Sequence, residues 1–498
     1  MNPKHGACLR RRFVAERFLL LALGCGCESV QVSEGLPVDS GSEGGGSDVR
    51  NGGVSSDAEA DASPRAPDSS SSASDGSTEL ANSESGSSLD SGGSPGTDAI
   101  AEGGQPNADA NFVCPTMPVP GTCAPPVDIR CPYPKLSQTG CVDPTNPLKL
   151  ASVVVPYEVN SPLWSDGALK TRGMRIPAGK TIHVKDCVKN PMECCVKDGL
   201  GGCLPPADDG KWILPVGTVM VKNFMFADTS QASGVKFVET RLFVHMDRVD
   251  PVSMSDWAGY AYQWNDAQTD ATITSSSDPT MDVRSAVAFH VQPSAGAAIQ
   301  SVNWHYPSRA DCILCHKAIT PTGGSTLGLE TVQMNRIARG DTTNQIDKLA
   351  MLGLFDAAPA KPYNAALVAP YPGQAGSPPA GATLDMRARS YLHANCSFCH
   401  RPDGSDYNGI DLRYDVPFKG THVCNAPPGR GDQGVPGALL LTPKSPMSSI
   451  VWLRMTAPPA DVLTGNHGRM PQIATYTVDD SATTVVGDWI NSIVACPQ

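Results

Sequence analysis

The sequence predicts a multidomain chain: a disordered N-terminal tether, an all-β sandwich-like domain, and then mainly α modules around two Cys-x-x-Cys-His pentapeptides. Three observations carry this expectation. Residues 28–110 contain no Trp, Tyr or Phe and are dominated by Ser, Gly and acidic residues. From about 150 to 300 the text breaks into short apolar runs rich in Val, Thr, Phe and Tyr, separated by turn signals. Beyond 304 the periodicity becomes helical around Cys312-Ile-Leu-Cys315-His316 and Cys396-Ser-Phe-Cys399-His400, whose first cysteines lie 84 residues apart.

In chain order, residues 1–27 join four arginines (Arg10, Arg11, Arg12, Arg17) to a short apolar run from Phe18 to Leu23, a secretion signal too short to span a bilayer. Leu21-Ala22-Leu23-Gly24-Cys25 resembles a bacterial lipobox, with Cys27 as a rival position for the acylated cysteine. Residues 28–110 carry 16 Asp and Glu against two Arg, so they read as a flexible acidic tether that buries too little apolar surface to offset ordering entropy. Removing the tether's charge of −14 and the leader's +4 from the total of −12 leaves about −2. The remaining chain is nearly neutral without a basic patch, which excludes nucleic acid as an expected partner.

Residues 111–145 are Pro-, Gly- and Cys-rich and read as a disulfide-stapled leader into the β-rich domain, 146–303. Of the 17 cysteines, Cys8, Cys25 and Cys27 fall in the leader and four in the pentapeptides. The other ten fall in groups: Cys114, Cys123, Cys131 and Cys141, then Cys187, Cys194, Cys195 and Cys203, then Cys424 and Cys496. That grouping predicts local disulfides in an oxidising compartment, with pairing inside each group of four left open and Cys424 joined to Cys496. In the run from Thr218 to Phe226 both faces of the strand are largely apolar, as in a central strand. Glu239 and Arg241, two residues apart, share a face and read as a structural ion pair beside a loop, with a binding pair as the alternative. Asp166, His183, His245 and His290 lack metal-like spacing and receive no role.

Two thiols three residues apart can each add to one vinyl group of a porphyrin, and the adjacent histidine then meets the iron. Cys312, Cys315 and His316, and again Cys396, Cys399 and His400, therefore predict two covalently bound haem c groups, with His316 and His400 as proximal ligands. A zinc site prefers its two Cys-x-x-Cys pairs closer together. Pro307-Ser308 before Asp311 predicts the start of the helix carrying the first motif. Ile346, Leu349, Ala350 and Leu352 predict an amphipathic helix closing a first haem module at 304–357, stopped at Gly353. Residues 358–382 are a linker. In 383–498, Leu384, Ala388, Tyr391 and Leu392 make a helical stripe into the second motif, and Val485, Trp489 and Ile493 another at the far end. Met470, in a loop before that last helix, is the expected sulfur ligand of the second haem. His305, His393, Met334 and Met351 compete as distal ligand of the first.

With these residues in view, the chain resembles di-haem c-type cytochromes. More narrowly it is similar to a bacterial family of unassigned function in which a β-rich segment precedes one CxxCH and a C-terminal cytochrome c domain. The resemblance rests on NSPLWSDGALKTR, PVGTVMVKNF, ETRLFV, YQWNDAQTDA, WHYPSRADCILCH, LGLETVQMNR, ARSYLHANCSFCHRPDG and RMPQIATYTVDD. Together with the lipobox-like Leu21–Cys25, it implies an electron-transfer protein at the periplasm or cell surface, anchored by lipid. Its expected partners are a dehydrogenase or the quinone pool and a downstream acceptor. A peroxidase-like haem enzyme with one open iron position, or a β-domain binding module with the haems as electron outlet, stands as the alternative.

Overall fold

In a computed structural model, the strands of the β-rich region pair in sequence order. Strands β1 (Val155–Pro156), β2 (Leu169–Arg175), β5 (Val219–Ala227), β6 (Val235–Asp250), β7 (Ser255–Trp264) and β8 (Ala271–Ile273) form one sheet in the order β1-β2-β5-β6-β7-β8. Every pairing in it is antiparallel. Two ribbons accompany it: β3 (His183–Val184) with β4 (Trp212–Ile213), and β9 (Ser285–Val291) with β10 (Gln300–Tyr306). The structure describes residue 114 and residues 121–497, except 196–209, 251–254, 275–284, 317–325, 364–365, 374–375, 403, 406–407, 459–467 and 474. The expected secretion signal, lipobox and tether lie outside the described residues, which all fall within one unit, Asp98–Gln498.

Alternation along each strand sends its side chains to opposite faces. On one face Val219, Val221, Leu242, Val244, Tyr260 and Tyr262 pack beneath the Cys-rich leader. That leader is stapled by Cys114–Cys131 and Cys123–Cys141, and the Tyr260 and Tyr262 hydroxyls donate to the carbonyls of Ile129 and Tyr133 at 2.9 Å each. On the other face Met220, Phe243 and Trp257 join Trp212, Met334 and Ile346 in a second core. Phe224 packs with Trp304 and Tyr306 of β10 in a third.

Among the described residues six helices follow: α1 (Arg309–His316), α2 (Thr331–Met334), α3 (Gln345–Met351), α4 (Leu384–Cys396), α5 (Ile450–Thr456) and α6 (Asp480–Ser492). Here the expected fold class is corrected. Among the described residues there are no mainly α haem modules: those residues are β-rich, with 24% strand against 21% helix. One six-stranded sheet takes the Cys-rich leader on one face, and the β9–β10 ribbon and the motif-bearing segments on the other. Helices α2 and α3 have only four and seven residues, and α1 has eight among the described residues. The physical reason is visible between α4 and α5, where stretches such as NAPPGRGDQGVPG hold Pro and Gly too densely for a helix to propagate. Where apolar stripes and caps coincide, helices do form. Thr383 caps α4 by accepting from the Met386 amide at 3.2 Å, and Asp479 caps α6 by accepting from the Ala482 amide at 3.0 Å.

Candidate functional site

Helix α1 begins with a reciprocal cap. The Ser308 hydroxyl accepts from the Asp311 amide at 3.1 Å, and the Asp311 carboxylate accepts from the Ser308 amide at 3.0 Å. This sets Cys312 on the side of α1 that meets β7, and Gly259 of β7 makes the approach possible. A Cβ at 259 would stand 2.6 Å from the Cys312 sulfur and 3.2 Å from its Cβ. A glycine inside a strand often marks such a close approach. Phe243 packs on the His316 ring with centroids 4.2 Å apart.

A cavity of about 180 Å³ opens beside this helix, and Cys312, Cys315 and His316 all line it. Its walls mix apolar groups, among them Met220, Phe243, Leu329 and Phe398, with five cations: Arg172, Lys211, Lys222, Arg241 and Arg401. Apolar walls, two thiols at vinyl spacing, an adjacent imidazole and an excess of positive charge suit a flat apolar macrocycle that carries carboxylates. The residues present therefore fit a haem at the first motif.

The second motif lies next to the first. Helix α4 ends at Cys396, and the following turn places Cys399 so that its sulfur stands 3.7 Å from the Leu314 carbonyl of α1. The Ser405 hydroxyl donates to the same carbonyl at 3.2 Å. Cys396, Cys399 and His400 line neither the large cavity nor a smaller one of about 10 Å³ that contains Met470. That smaller space is about the size of one water, and Met470 shares it with Trp164, Tyr391 and Met455.

Of the four competing distal residues, the structure brings one to the cavity. His393 lines it, but its Nδ1 accepts from the Tyr414 amide at 2.9 Å, which leaves Nε2 to carry the proton toward Glu330 at 2.7 Å. Burial works to raise the Glu330 carboxyl, yet His393, Arg401 and Lys211 together hold it below its ordinary value. Met334 is fully buried in the core with Ile346, Met351 is 73% exposed, and His305 stacks on Tyr476 with centroids 3.5 Å apart. Helix α3, expected to close the first pocket, packs Ile346 and Leu349 into that same core and lines no part of the cavity.

All described cysteines outside the two motifs are disulfide-bonded, whereas Cys312, Cys315, Cys396 and Cys399 are in no disulfide. Burial pushes the Cys312 thiol up to about 11 and the Cys396 thiol up to about 12, and raises Cys315 as well. A redox-active dithiol needs the opposite, a thiolate favoured near neutral pH. Among the described residues no group of three His, Cys, Asp or Glu side chains is arranged to hold a metal ion.

Sequence reasoning missed two parts of this site. Glu239 and Arg241 do pair, at 2.7 and 2.9 Å, and Glu239 accepts from the Trp304 indole at 2.9 Å, but Arg241 also faces the cavity. Asp166, given no role, accepts from the amide and hydroxyl of Thr477 at 2.8 and 3.1 Å, tying the segment before β2 to the loop before α6. Beside it Trp164 donates its amide to Asn395 of α4 at 2.7 Å, and Ser161 donates its hydroxyl to the Ser390 carbonyl at 3.0 Å. No protein family, characterised protein or solved structure matches the chain.

Proposed function

We propose that the chain is an extracytoplasmic di-haem c-type cytochrome that passes electrons between a dehydrogenase or quinone pool and a downstream acceptor. The observation that carries the reading is the pairing of the motifs: the Cys399 sulfur stands 3.7 Å from the Leu314 carbonyl, within the first motif. In a chain whose other described cysteines are oxidised, these four thiols stay outside disulfides. Haem supplies a one-electron ferric-ferrous couple when bound. Cys312 and Cys315 would hold one group covalently with His316 as an iron ligand, and Cys396, Cys399 and His400 the other, with Met470 as a sulfur donor. The apolar part of the wall would favour the less charged oxidation state of a haem bound there. A lipidated Cys25 would tether the protein to a membrane beside its redox partners.

One observation favours a second reading. Since His393 is engaged through both ring nitrogens and Met334, Met351 and His305 lie elsewhere, none of the four expected residues would close the second position of the iron bound by His316, which would stay open unless Met220 of the cavity wall fills it. Rapid carbon monoxide binding by one reduced haem would favour that reading; no binding at either favours electron transfer alone.

The test of the main proposal is the mass and pyridine-haemochrome spectrum of protein matured with a c-haem attachment system. Two haems per chain should survive acid-acetone extraction. A Cys312→Ala, Cys315→Ala double variant should retain one. Loss of both haems from the wild type on extraction defeats the proposal.

A further inference from the structure

The cavity beside α1 has a charged wall that covalent attachment does not use. Arg172 on β2 is paired with Lys222 on β5, Lys222 with Arg241 on β6, and Arg241 with Ala261 on β7. Directly paired residues present their side chains to one face of a sheet, so three cations stand in a row across three neighbouring strands, roughly 5 Å from one to the next. All three line the cavity with Cys312, Cys315 and His316. Arg241, the member nearest β7 and Cys312, is neutralised by its two hydrogen bonds to Glu239. Arg172 and Lys222 make no ion pair with a described residue.

Like charges on paired strand positions repel, and the repulsion grows as water is removed. Burial, followed by the nearby Arg172 and Lys170, drives the Lys222 ammonium well below its ordinary value, and burial lowers Arg172 too. A wall of this kind is stable when an anion meets it. Its position narrows the anion. Neighbouring strands lie about 4.8 Å apart, so β2 is roughly 14 Å across the sheet from the strand that touches Cys312. The vinyl and carboxylate edges of a porphyrin are likewise on opposite sides of the ring.

We infer that Arg172 and Lys222 form a carboxylate-binding row that receives the two propionate groups of the haem held by Cys312 and Cys315. This inference rests on the haem reading above and names the residues that orient the first haem in its cavity. Both are positioning residues, and they would also hold positive charge on the carboxylate side of the bound haem.

The test uses the full holoprotein and the single variants Arg172→Gln, Lys222→Gln and Lys222→Arg, with haem counted first. At pH 8 each Gln variant should keep two haems. The ferric-to-ferrous ratio of one haem at fixed potential should rise at least tenfold, which is a midpoint lowered by about 59 mV for a one-electron couple. The other haem should not move, and Lys222→Arg should restore the wild-type value. Oxalate, a free dicarboxylate, should leave both wild-type midpoints unchanged. Two haems with unmoved midpoints in both Gln variants overturn the inference alone. Oxalate binding that Arg172→Gln abolishes also overturns it, by giving the row to a free anion. A wild type without covalent haem defeats the haem reading and this inference with it.

Discussion

A single missing methyl group decides whether the first motif can sit against the sheet. Because a Cβ on residue 259 would lie 2.6 Å from the Cys312 sulfur, Gly259→Ala should displace α1 or the β7 backbone. Overpacking of this sort costs roughly 1–3 kcal/mol. The functional consequence should be selective. Peptide mapping is expected to find haem on the peptide containing Cys396 and Cys399 and much less on the one containing Cys312 and Cys315. Equal loading of the two peptides would show that the contact is not needed for attachment. The sequence did hold a signal for Gly259, a glycine inside the apolar run WAGYAYQW, but a signal for close approach does not say what approaches.

At the scale of elements, the short β3 strand shows how a small piece is held by charge. His183 sits between Asp356, at 2.7 Å from Nδ1, and Glu193 on the 3-10 turn Pro191–Cys194, hydrogen-bonded to Nε2. Burial works to lower the imidazole, and the two carboxylates outweigh it, so His183 is raised above its ordinary 6.5. A raised folded value means that the proton is bound more tightly in the native state, so this stabilisation is complete below the unfolded value of about 6.5. It is lost as pH rises through the higher folded value. The side chain is 42% exposed, so after solvent screening the contribution is under about 1 kcal/mol. Urea unfolding of wild type and His183→Asn should therefore differ most at pH 5–6 and converge by about pH 9. A gap that widens with pH would contradict this assignment. Element placement also follows local rules well at α1, α4 and α6, where a cap precedes an apolar stripe. It follows them poorly where Pro and Gly interrupt, which is why the regions around the motifs are not mainly helical.

Over the whole molecule, covalent links and hydrogen bonds join segments that are far apart in sequence. Cys424–Cys496 ties the strand-poor loop after the second motif to the end of α6, with a separation of 72 residues. In the chain-entropy model a loop of that size stabilises by roughly 4 kcal/mol. The Cys424→Ser, Cys496→Ser variant should lose about that much in denaturant unfolding, with α6 amides exchanging fastest. A loss below about 1 kcal/mol would mean that the denatured chain is already restrained there. The joint made by Ser161, Trp164 and Asp166 with Ser390, Asn395 and Thr477 works at the same scale, since it sets α4 and the loop containing Met470 against the β-rich part.

By itself the sequence determined the features that depend on neighbours along the chain. These are the two motifs, the cap of α1 at Ser308 and Asp311, the stripes of α4 and α6, the alternation in β5, and the local grouping of the leader cysteines. Each is a matter of spacing against a period of 2 or 3.6, or of one residue preceding another, so it is written in the order of letters. The tertiary structure alone decided that a single six-stranded sheet forms, that Cys399 meets Leu314, that Gly259 meets Cys312, and that Arg172, Lys222 and Arg241 align. Those facts depend on strand register, in which a shift by one residue would turn every side chain to the other face, and on which surface each helix buries. Register is set by the whole sheet together, so no window of the sequence contains it.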